Sequence, residues 1–249
     1  MANPHDRPTP SPNPSLAPSV APTPAQTPAQ TLAVDIPADV LLRGDLHIPA
    51  SIAGVVLFAH GSGSSRHSPR NQFVARELQK AGLATLLLDL LTPSEEVLDQ
   101  RTAHLRFDVD LLAKRLLYAV QWIRRQPALA SVRLGCFGAS TGATAALLAA
   151  SEGRPFAAIV SRGGRPDLAG AALERVQVPV LLVVGGNDPE VLDLNRQAKA
   201  RLSTRTRLAV VPGATHLFEE PGALEEVARL AQLWFERWLA ARDSSRRVA

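Results

Sequence analysis

The chain has 249 residues, 46% of them hydrophobic and 20% charged, and its formal net charge at neutral pH is +4. That apolar content is enough for one sizeable core, and basic residues scattered among acidic ones disfavour a nucleic-acid partner. The single cysteine excludes an intramolecular disulfide, and no apolar stretch has the length of a membrane span or the character of a signal peptide. We therefore expect a soluble, cytoplasmic protein with no membrane partner.

The first part of the chain differs in composition from the rest. Residues 1–30 consist mainly of Pro, Ala, Ser, Thr and Gln, and such a segment buries too little apolar surface to offset the entropy lost on ordering. We predict a disordered tail there, with a proline-rich docking ligand as the alternative. Residues 31–243 are predicted to form one domain, and residues 244–249 a flexible C-terminus.

Apolar segments alternate with amphipathic segments through the predicted domain. The apolar segments predict eight strands, at 32–37, 40–49, 54–60, 83–90, 132–137, 157–161, 178–185 and 207–213. Helical periodicity and capping residues predict helices over about 68–81, 109–123 and 222–241, with another beginning near Thr141. The first two strands are expected to pair antiparallel. The alternation of strands and helices indicates an α/β fold, with a mostly parallel sheet covered by helices on both faces.

Chemically useful side chains follow several of these strands. In parallel sheets ligands bind beyond the carboxyl ends of the strands, where this chain places HGSGSS (60–65), Ser140, Asp188 and His216, in that order. A serine hydroxyl is a weak nucleophile unless a base accepts its proton, and imidazole does so near neutral pH when a carboxylate orients it. The order Ser, Asp, His therefore predicts a nucleophile, an acid and a base at one sheet edge.

Ser140 stands in the pattern G-x-S-x-G, in the segment Gly138-Ala139-Ser140-Thr141-Gly142. A strand that turns sharply into a helix crowds the positions two before and two after the nucleophile, where Gly138 and Gly142 leave room. The helix that begins at Thr141 directs free backbone N–H groups toward the reacting oxygen. A second oxyanion donor is expected at the backbone N–H of Ser62. The alternative is small-residue packing at a strand–helix junction.

Four segments together resemble the α/β-hydrolase fold, and within it the dienelactone-hydrolase-like group. These segments are VVLFAHGSGSS, GCFGASTGA, LLVVGGNDPEV and VVPGATHLFEEPGALEEVARLAQLWF, and the likeness extends over residues 31–241. The resemblance implies an eight-stranded sheet with its second strand antiparallel. It also implies a catalytic Ser140–His216–Asp188 triad, with oxyanion donors at Ser62 and Thr141.

The nucleophile departs from the pattern of this group. Dienelactone hydrolases proper carry cysteine at the elbow, whereas this chain carries Ser140, which favours a general serine carboxylesterase acting on small esters or lactones. Cys136 lies within the strand, two residues before Gly138, and is expected to be a buried small hydrophobic residue. No cluster of residues has metal-ligand spacing, so we expect no metal or organic cofactor.

Other residues compete for the roles of acid and base. Asp188 follows Gly-Gly-Asn as the acid of the family does, but Glu190, Asp193 and Asp167 are alternatives. The competing histidines are His60, expected to be a buried support of the oxyanion loop, and the loop residues His67 and His104.

Two arginine-bearing loops are predicted to open onto the same edge. Arg66, Arg70, Arg162 and Arg165 are candidates for a fork that binds a substrate carboxylate or phosphate. The alternative is that they are solvated or pair with local acids such as Asp167.

The predicted pocket is shallow. About sixteen residues separate the sixth and seventh strands, too few for a lid domain, so short-chain substrates are favoured, and the loop at 92–106 is the largest segment available to cover the site. We expect a monomer or homodimer with a small-molecule ester as partner. Acyl transfer, amide or thioester cleavage and perhydrolysis with the same triad remain open, as does a non-catalytic binding module.

Overall fold

The computed structural model describes residues 29–240, which form one sheet with helices on both faces. The strands are β1 (Gln30–Pro37), β2 (Leu41–Ile48), β3 (Gly54–Ala59), β4 (Leu83–Leu88), β5 (Leu134–Ala139), β6 (Ala158–Arg162), β7 (Val180–Gly185) and β8 (Thr206–Val211). The α-helices are α1 (Pro69–Lys80), α2 (Pro93–Thr102), α3 (Val109–Arg124), α4 (Thr141–Ser151), α5 (Pro189–Arg201) and α6 (Ala223–Leu239). Leu105–Phe107 and Pro166–Arg175 form 3₁₀ segments.

The strand order across the sheet is β1-β2-β4-β3-β5-β6-β7-β8. β2 is antiparallel to both β1 and β4, and every other neighbouring pair is parallel. Each of the six residues of β3, and each of those of β5, is buried, as expected of central strands covered by helices on both faces. The eight predicted strands and the α/β-hydrolase architecture are confirmed.

Alternating side chains of the central strands enter two separate cores. Leu57 and Cys136 belong to the core that α3 and α4 cover, whereas Phe58 and Phe137 belong to the core covered by α1 and α6. The ring centroids of the two phenylalanines lie 5.0 Å apart. Because helices cover both faces of the sheet, the space open to a ligand lies at the strand ends.

The boundaries of α1 follow from its capping residues. The hydroxyl of Ser68 accepts a hydrogen bond from the backbone N–H of Asn71, and Pro69 occupies the first helical position. Gly82, with φ +77°, directly follows the capping residue Ala81 and leads the chain into β4. This helix lies where the sequence predicts it.

The segment predicted as a covering loop at 92–106 is largely helical, which is a correction. The Thr92 hydroxyl accepts from the backbone N–H of Glu95, whose carboxylate accepts from the backbone N–H of Thr92, so the two form a capping box at the start of α2. Ala103, with φ +52°, ends the helix in the left-handed conformation.

The predicted tail and C-terminus lie almost entirely outside the described residues. Gln30, at the end of the predicted tail, is already paired with Ile48 in the sheet. Within residues 29–240, no helix is both long and apolar enough to cross a membrane.

Candidate active site

Ser140 occupies a strained turn between β5 and α4. Its φ of +49° and ψ of −120° lie in a region that costs a non-glycine residue on the order of 1–3 kcal/mol. A Cβ on Gly138 would lie 2.4 Å from the Cα of Ala143, and a Cβ on Gly142 would lie 2.3 Å from the carbonyl oxygen of Ala59. Both contacts are with backbone, so the two glycines permit the turn, as the sequence pattern predicts.

Asp188 and His216 are held together by the loops that follow β7 and β8. The Nδ1 of His216 lies 2.7 Å from Oδ2 of Asp188, which is the distance of a strong charge-assisted hydrogen bond. The backbone N–H of Asn187 donates to the carbonyl of Ala214, and a Cβ on Gly185 would lie 2.3 Å from that same oxygen. This close approach of the two loops fixes the acid beside the imidazole.

The backbone at the end of β6 contacts both Ser140 and His216. The backbone N–H of Ser140 donates to the carbonyl of Arg162 at 3.1 Å. A Cβ built on the next residue, Gly163, would lie 3.4 Å from Cε1 of the His216 ring, and this glycine has φ +51°. Because Gly163 has no side chain, the imidazole can lie against the backbone that also anchors Ser140. The sequence analysis did not identify Gly163. The pair of glycines directly after a buried strand could have indicated a close approach of the backbone at this position.

Ser62 and Thr141 lie side by side next to Ser140. Their hydroxyl oxygens are 3.1 Å apart, and a Cβ on Gly61 would lie 3.0 Å from the Cβ of Ser140. Neither the backbone N–H of Ser62 nor that of Thr141 donates to any group in the described part of the chain. Thr141 is also the first residue of α4, where backbone N–H groups lack intrahelical acceptors. The structure thus brings together the two predicted oxyanion donors.

His60 contacts the loop at residues 60–65, which carries the predicted oxyanion donor Ser62 and which we call the candidate oxyanion loop. Its Nε2 accepts from the backbone N–H of Leu90 at 2.9 Å, so the ring proton lies on Nδ1, which donates to the carbonyl of Gly61 at 3.0 Å. Burial lowers the pKa of this imidazole below its usual value, so His60 is neutral near pH 7. It fixes the carbonyl of the peptide between Gly61 and Ser62, and the N–H of this trans peptide therefore points away from His60.

A cavity of about 170 Å³ adjoins the loop at residues 60–65. Its walls come from residues 60–65, from α2 and from Thr141. Burial and the neighbouring Asp89 raise the pKa of Glu96. Burial alone would raise the pKa of Asp99, but hydrogen bonds from the backbone N–H and the guanidinium of Arg106 hold it below its usual value.

The α2 wall of this cavity is anchored by a buried arginine of α3. Arg115 is 1% exposed and donates to Glu95, to Asp39 and to the carbonyl of Leu90. Two carboxylates and a carbonyl therefore satisfy its guanidinium, and they tie α2 to the β1–β2 turn and to the end of β4. The wall is fixed by this network rather than by an apolar helix face.

The competing acids and histidines lie elsewhere. Asp193 accepts from Gln197, and Asp167 pairs with Arg165. Within the described residues, the histidine in an ion pair with a carboxylate is His216, and its partner is Asp188. The other residues that the sequence left open, Glu190, His67 and His104, form no side-chain hydrogen bond with Ser140 or His216 within residues 29–240.

The four predicted arginines do not form one open fork. Arg66 pairs with Asp89, Arg165 with Asp167 through Nη2 and Oδ2 at 2.7 Å, and Arg70 with Glu219 at 2.9 Å. Three of the four arginines therefore pair with local acids, which is the alternative to a ligand-binding fork that the sequence left open.

Arg162 is the exception among the four. It is 7% exposed, and its Cζ lies 5.9 Å from the centroid of the Phe218 ring. Its Nε and Nη1 are buried without a hydrogen-bond partner in the described part of the chain. Burial, with a contribution from nearby Arg70, lowers the pKa of Arg162 to about 10, so it remains charged at neutral pH.

Cys136 is fully buried in β5, and burial raises the pKa of its thiol. A buried thiol that is protonated at neutral pH is a poor nucleophile. Among residues 29–240, no group of three or more His, Cys, Asp or Glu side chains is arranged to hold a metal ion.

Comparison with known proteins supports the fold and identifies the family. The model of the dienelactone hydrolase family matches residues 43–241. A dienelactone hydrolase from Anabaena variabilis ATCC 29413, whose crystal structure is known, is 55% identical in sequence to this chain. The two structures match with a TM-score of 0.83, and the match covers 86% of this chain and all of that one. Est1E from Butyrivibrio proteoclasticus shares the fold, with a TM-score of 0.69 at 17% identity, over 83% of this chain and 98% of its own.

Two curated relatives carry a different kind of name. Both are called putative phosphoribosyl transferases and come from two strains of Mycobacterium tuberculosis. Each is 55% identical to this chain over 201 residues. The match covers 80% of this chain but 44% of theirs, so this chain spans less than half the length of these relatives. The extent of the family match, together with the 55% identity to a dienelactone hydrolase of known structure, shows that this chain is an α/β-hydrolase of the dienelactone hydrolase family.

Proposed function

We propose that this chain cleaves carboxylic esters or lactones of small, short-chain substrates through an acyl-enzyme on Ser140. The observation that carries the proposal is the 2.7 Å contact between Asp188 and His216, beside a serine in a strained turn. An oriented imidazole next to a backbone-fixed serine supplies both the base and the nucleophile of acyl transfer.

In the first half of the proposed reaction, Nε2 of His216 takes the proton of the Ser140 hydroxyl as its oxygen attacks the substrate carbonyl. Asp188 holds the proton on Nδ1 and stabilises the imidazolium that forms. The N–H groups of Ser62 and Thr141 donate to the oxyanion of the tetrahedral intermediate. Collapse of this intermediate breaks the ester bond, and the alcohol leaves with the proton from His216.

In the second half, a water molecule gives a proton to Nε2 of His216 and attacks the acyl carbonyl. The same donors hold the second oxyanion, and collapse of this intermediate returns the proton to Ser140 and releases the acid. The side chain of His216 is 40% exposed, so water can reach its face. This exposure gives water the access to the acyl-enzyme that hydrolysis requires.

We assign the acyl chain of the substrate to the cavity that Ser62 and Thr141 line, beside Ser140, and the size of this cavity favours small substrates. A volume of about 170 Å³ lies below the range of about 300–1,000 Å³ that is typical of drug-sized ligands. The β6–β7 connection is occupied by the 3₁₀ segment Pro166–Arg175, which leaves no lid domain there. We expect kcat/KM for p-nitrophenyl esters to fall as the acyl chain is lengthened from acetate to octanoate. A preference for octanoate would contradict this assignment of the cavity.

An anionic substrate group would be recognised on the Arg162 side of Ser140, since the cavity beside the candidate oxyanion loop carries Glu96. Of the predicted fork, Arg66, Arg165 and Arg70 are already paired with carboxylates, so we restrict the proposal to Arg162. An ester carrying a carboxylate should then have a higher kcat/KM than its neutral analogue, and Arg162→Gln should remove the difference. Equal values in the unmodified protein would rule out this recognition.

The name of the Mycobacterium tuberculosis relatives describes proteins more than twice as long as the matched region, so it does not assign a reaction to the matched region itself. The site holds the groups that acyl transfer requires. Acyl transfer to other nucleophiles uses the same triad, and added methanol or hydroxylamine would distinguish it. With ester hydrolysis as the main reaction, the free acid dominates the products at moderate nucleophile concentrations.

A fluorophosphonate probe tests the proposed nucleophile without knowledge of the substrate. We expect one adduct per chain, mapped to Ser140 by mass spectrometry, absent in Ser140→Ala and strongly slowed in His216→Ala. Cys136→Ala is the matched control, because it removes the other candidate nucleophile and should label at the rate of the unmodified protein. A folded chain that forms no adduct would favour the non-catalytic binding module.

A further inference from the structure

A second cavity lies at the opposite edge of the sheet from Ser140. It has a volume of about 330 Å³ and is bordered by the amino ends of β5, β6 and β7, by the end of α3 and by Trp238 of α6. β5 has six residues, which at about 3.3 Å per residue places this cavity about 20 Å from Ser140. It is therefore separate from the candidate active site.

Three arginines line this cavity, and each is held by uncharged acceptors. Arg124 donates to the backbone carbonyl of Val132 at 2.6 Å, and Arg133 donates to the carbonyl of Trp238 at 2.9 Å. Arg154 donates through Nε to the side-chain oxygen of Gln177 at 2.9 Å. These bonds restrain the guanidinium groups without neutralising their charge. Because each group has five N–H donors, most donors remain available to a ligand.

Two further arginines surround the indole at the border of the cavity. The Cζ atoms of Arg205 and Arg237 lie 5.7 and 5.3 Å from the ring centroid of Trp238, which is within the range of a cation–π contact. The indole Nε1 is buried and has no hydrogen-bond partner among residues 29–240. An aromatic ring is a weak counterpart for positive charge, so these contacts reduce the local excess of charge only slightly.

None of these five arginines forms an ion pair within the described residues. Elsewhere in the fold, Arg66, Arg106, Arg115 and Arg165 each contact a carboxylate. Among residues 29–240, no aspartate or glutamate lines the second cavity. Like charges held close together without counter-charges raise the local positive potential and attract anions.

We propose that this cavity binds a small molecule that carries two linked phosphate groups. Arginine forks match phosphate oxygens in paired hydrogen bonds, and a diphosphate can engage arginines from different elements at once. The volume lies at the lower end of the range for small-molecule sites. Phe156, Pro155 and Pro179 also line the cavity and provide an apolar surface for the organic part of such a ligand.

Titration of the full chain with inorganic pyrophosphate by isothermal calorimetry tests the proposal. We expect one saturable site per chain, with an affinity that falls as salt is raised because part of the cavity is open to solvent. The variant Arg124→Gln/Arg154→Gln should bind at least tenfold more weakly, while its fluorophosphonate labelling at Ser140 stays unchanged. Arg154→Gln alone should weaken binding about threefold. This single variant tests the proposal if the double variant does not fold.

The matched control removes two arginines outside the cavity. Arg76 and Arg196 are exposed and form no ion pair within residues 29–240, so Arg76→Gln/Arg196→Gln has the same net charge as the test variant. It should bind pyrophosphate as tightly as the unmodified chain. Equal weakening in both double variants, or no saturable binding at millimolar pyrophosphate, would overturn the proposal. Tighter binding of a polyglutamate peptide would also overturn it, in favour of an acidic protein partner.

Discussion

The two edges of the sheet differ in how most of their arginines are paired, and Arg162 is the exception at the carboxyl edge. At the carboxyl edge, the guanidinium groups of Arg66, Arg106 and Arg165 each contact an aspartate. At the amino edge, Arg124 and Arg154 contact carbonyl or amide oxygens. We therefore expect the proposed catalysis at the carboxyl edge to depend on backbone geometry and the His216–Asp188 pair. We expect the proposed anion binding at the amino edge to depend on arginines that pair with no carboxylate among residues 29–240.

This comparison has a physical consequence. Backbone N–H groups and the hydrogen bond between His216 and Asp188 act over a few ångströms and are little affected by salt. Exposed arginines act over a longer range and are screened by salt. Variants of one edge should therefore leave the other edge unaffected, and the predictions below rely on that independence.

The largest expected effect is that of Ser140→Ala. In a comparable serine hydrolase, loss of the nucleophile alone lowers kcat by about 10⁶, and we expect a loss on the order of 10⁵–10⁶ in ester hydrolysis here. The free energy of unfolding should change by less than about 1 kcal/mol, because alanine retains the same strained backbone without the hydroxyl. Kinetics with p-nitrophenyl acetate and urea unfolding measure the two effects. Weaker pyrophosphate binding in this variant would show that the two edges are coupled.

Asp188→Asn should have the next largest effect. The amide can donate to Nδ1 of His216 and so favours the wrong tautomer, and the equivalent change in serine proteases lowers kcat by about 10⁴. We expect a loss of about 10³–10⁴ in kcat, with KM nearly unchanged. Asp193→Asn is the matched control, since Asp193 contacts Gln197 on α5 and not the imidazole. Equal losses in the two variants would remove Asp188 from the triad.

His60→Phe should have a smaller effect, through the candidate oxyanion loop. The variant loses the bonds to Gly61 and Leu90, so the N–H of Ser62 is no longer fixed, and loss of one oxyanion donor costs about 10²–10³ in kcat. The loss should appear in kcat rather than in KM, because the oxyanion forms only in the transition state. His60→Gln, which can donate to one neighbour and accept from the other, should recover part of the rate. Equal rates for the two variants would reduce His60 to a packing role.

The strands and the candidate residues at their carboxyl ends can be predicted from the sequence because their signals are local, whereas the order of the strands across the sheet was not predicted. Each buried strand is a continuous apolar run, and the glycines around Ser140 follow from steric contacts within a few residues. Helix α2 was missed because Val97 and Leu98 are both exposed, so it lacks apolar periodicity, and only the Thr92–Glu95 capping box indicated it. The arginines of the amino edge come from five separate places in the chain, so no charge run reveals them.

The smallest expected effect is a local loss of stability of α2 at low pH. Hydrogen bonds from Arg115 hold the pKa of Asp39 below its usual value, and they do the same for Glu95 although burial alone would raise it. The stability that these carboxylates contribute is present above their unfolded-state pKa values near 4, and it is lost as the pH falls through the lower folded-state values. The amino-edge arginines do not titrate in this range.

Lowering the pH from 7 to 3.5 should therefore loosen α2 before the amino ends of β5 to β7. We expect a local loss of about 1 kcal/mol after allowance for solvent screening, visible as faster hydrogen exchange at the amides of α2. Glu95→Gln keeps a capping side chain but removes one of the two carboxylates that contact Arg115, so its exchange should depend less on pH. Exchange that accelerates equally at both edges would mean that acid acts on the whole domain, and the contrast in charge pairing would then have no local consequence for stability.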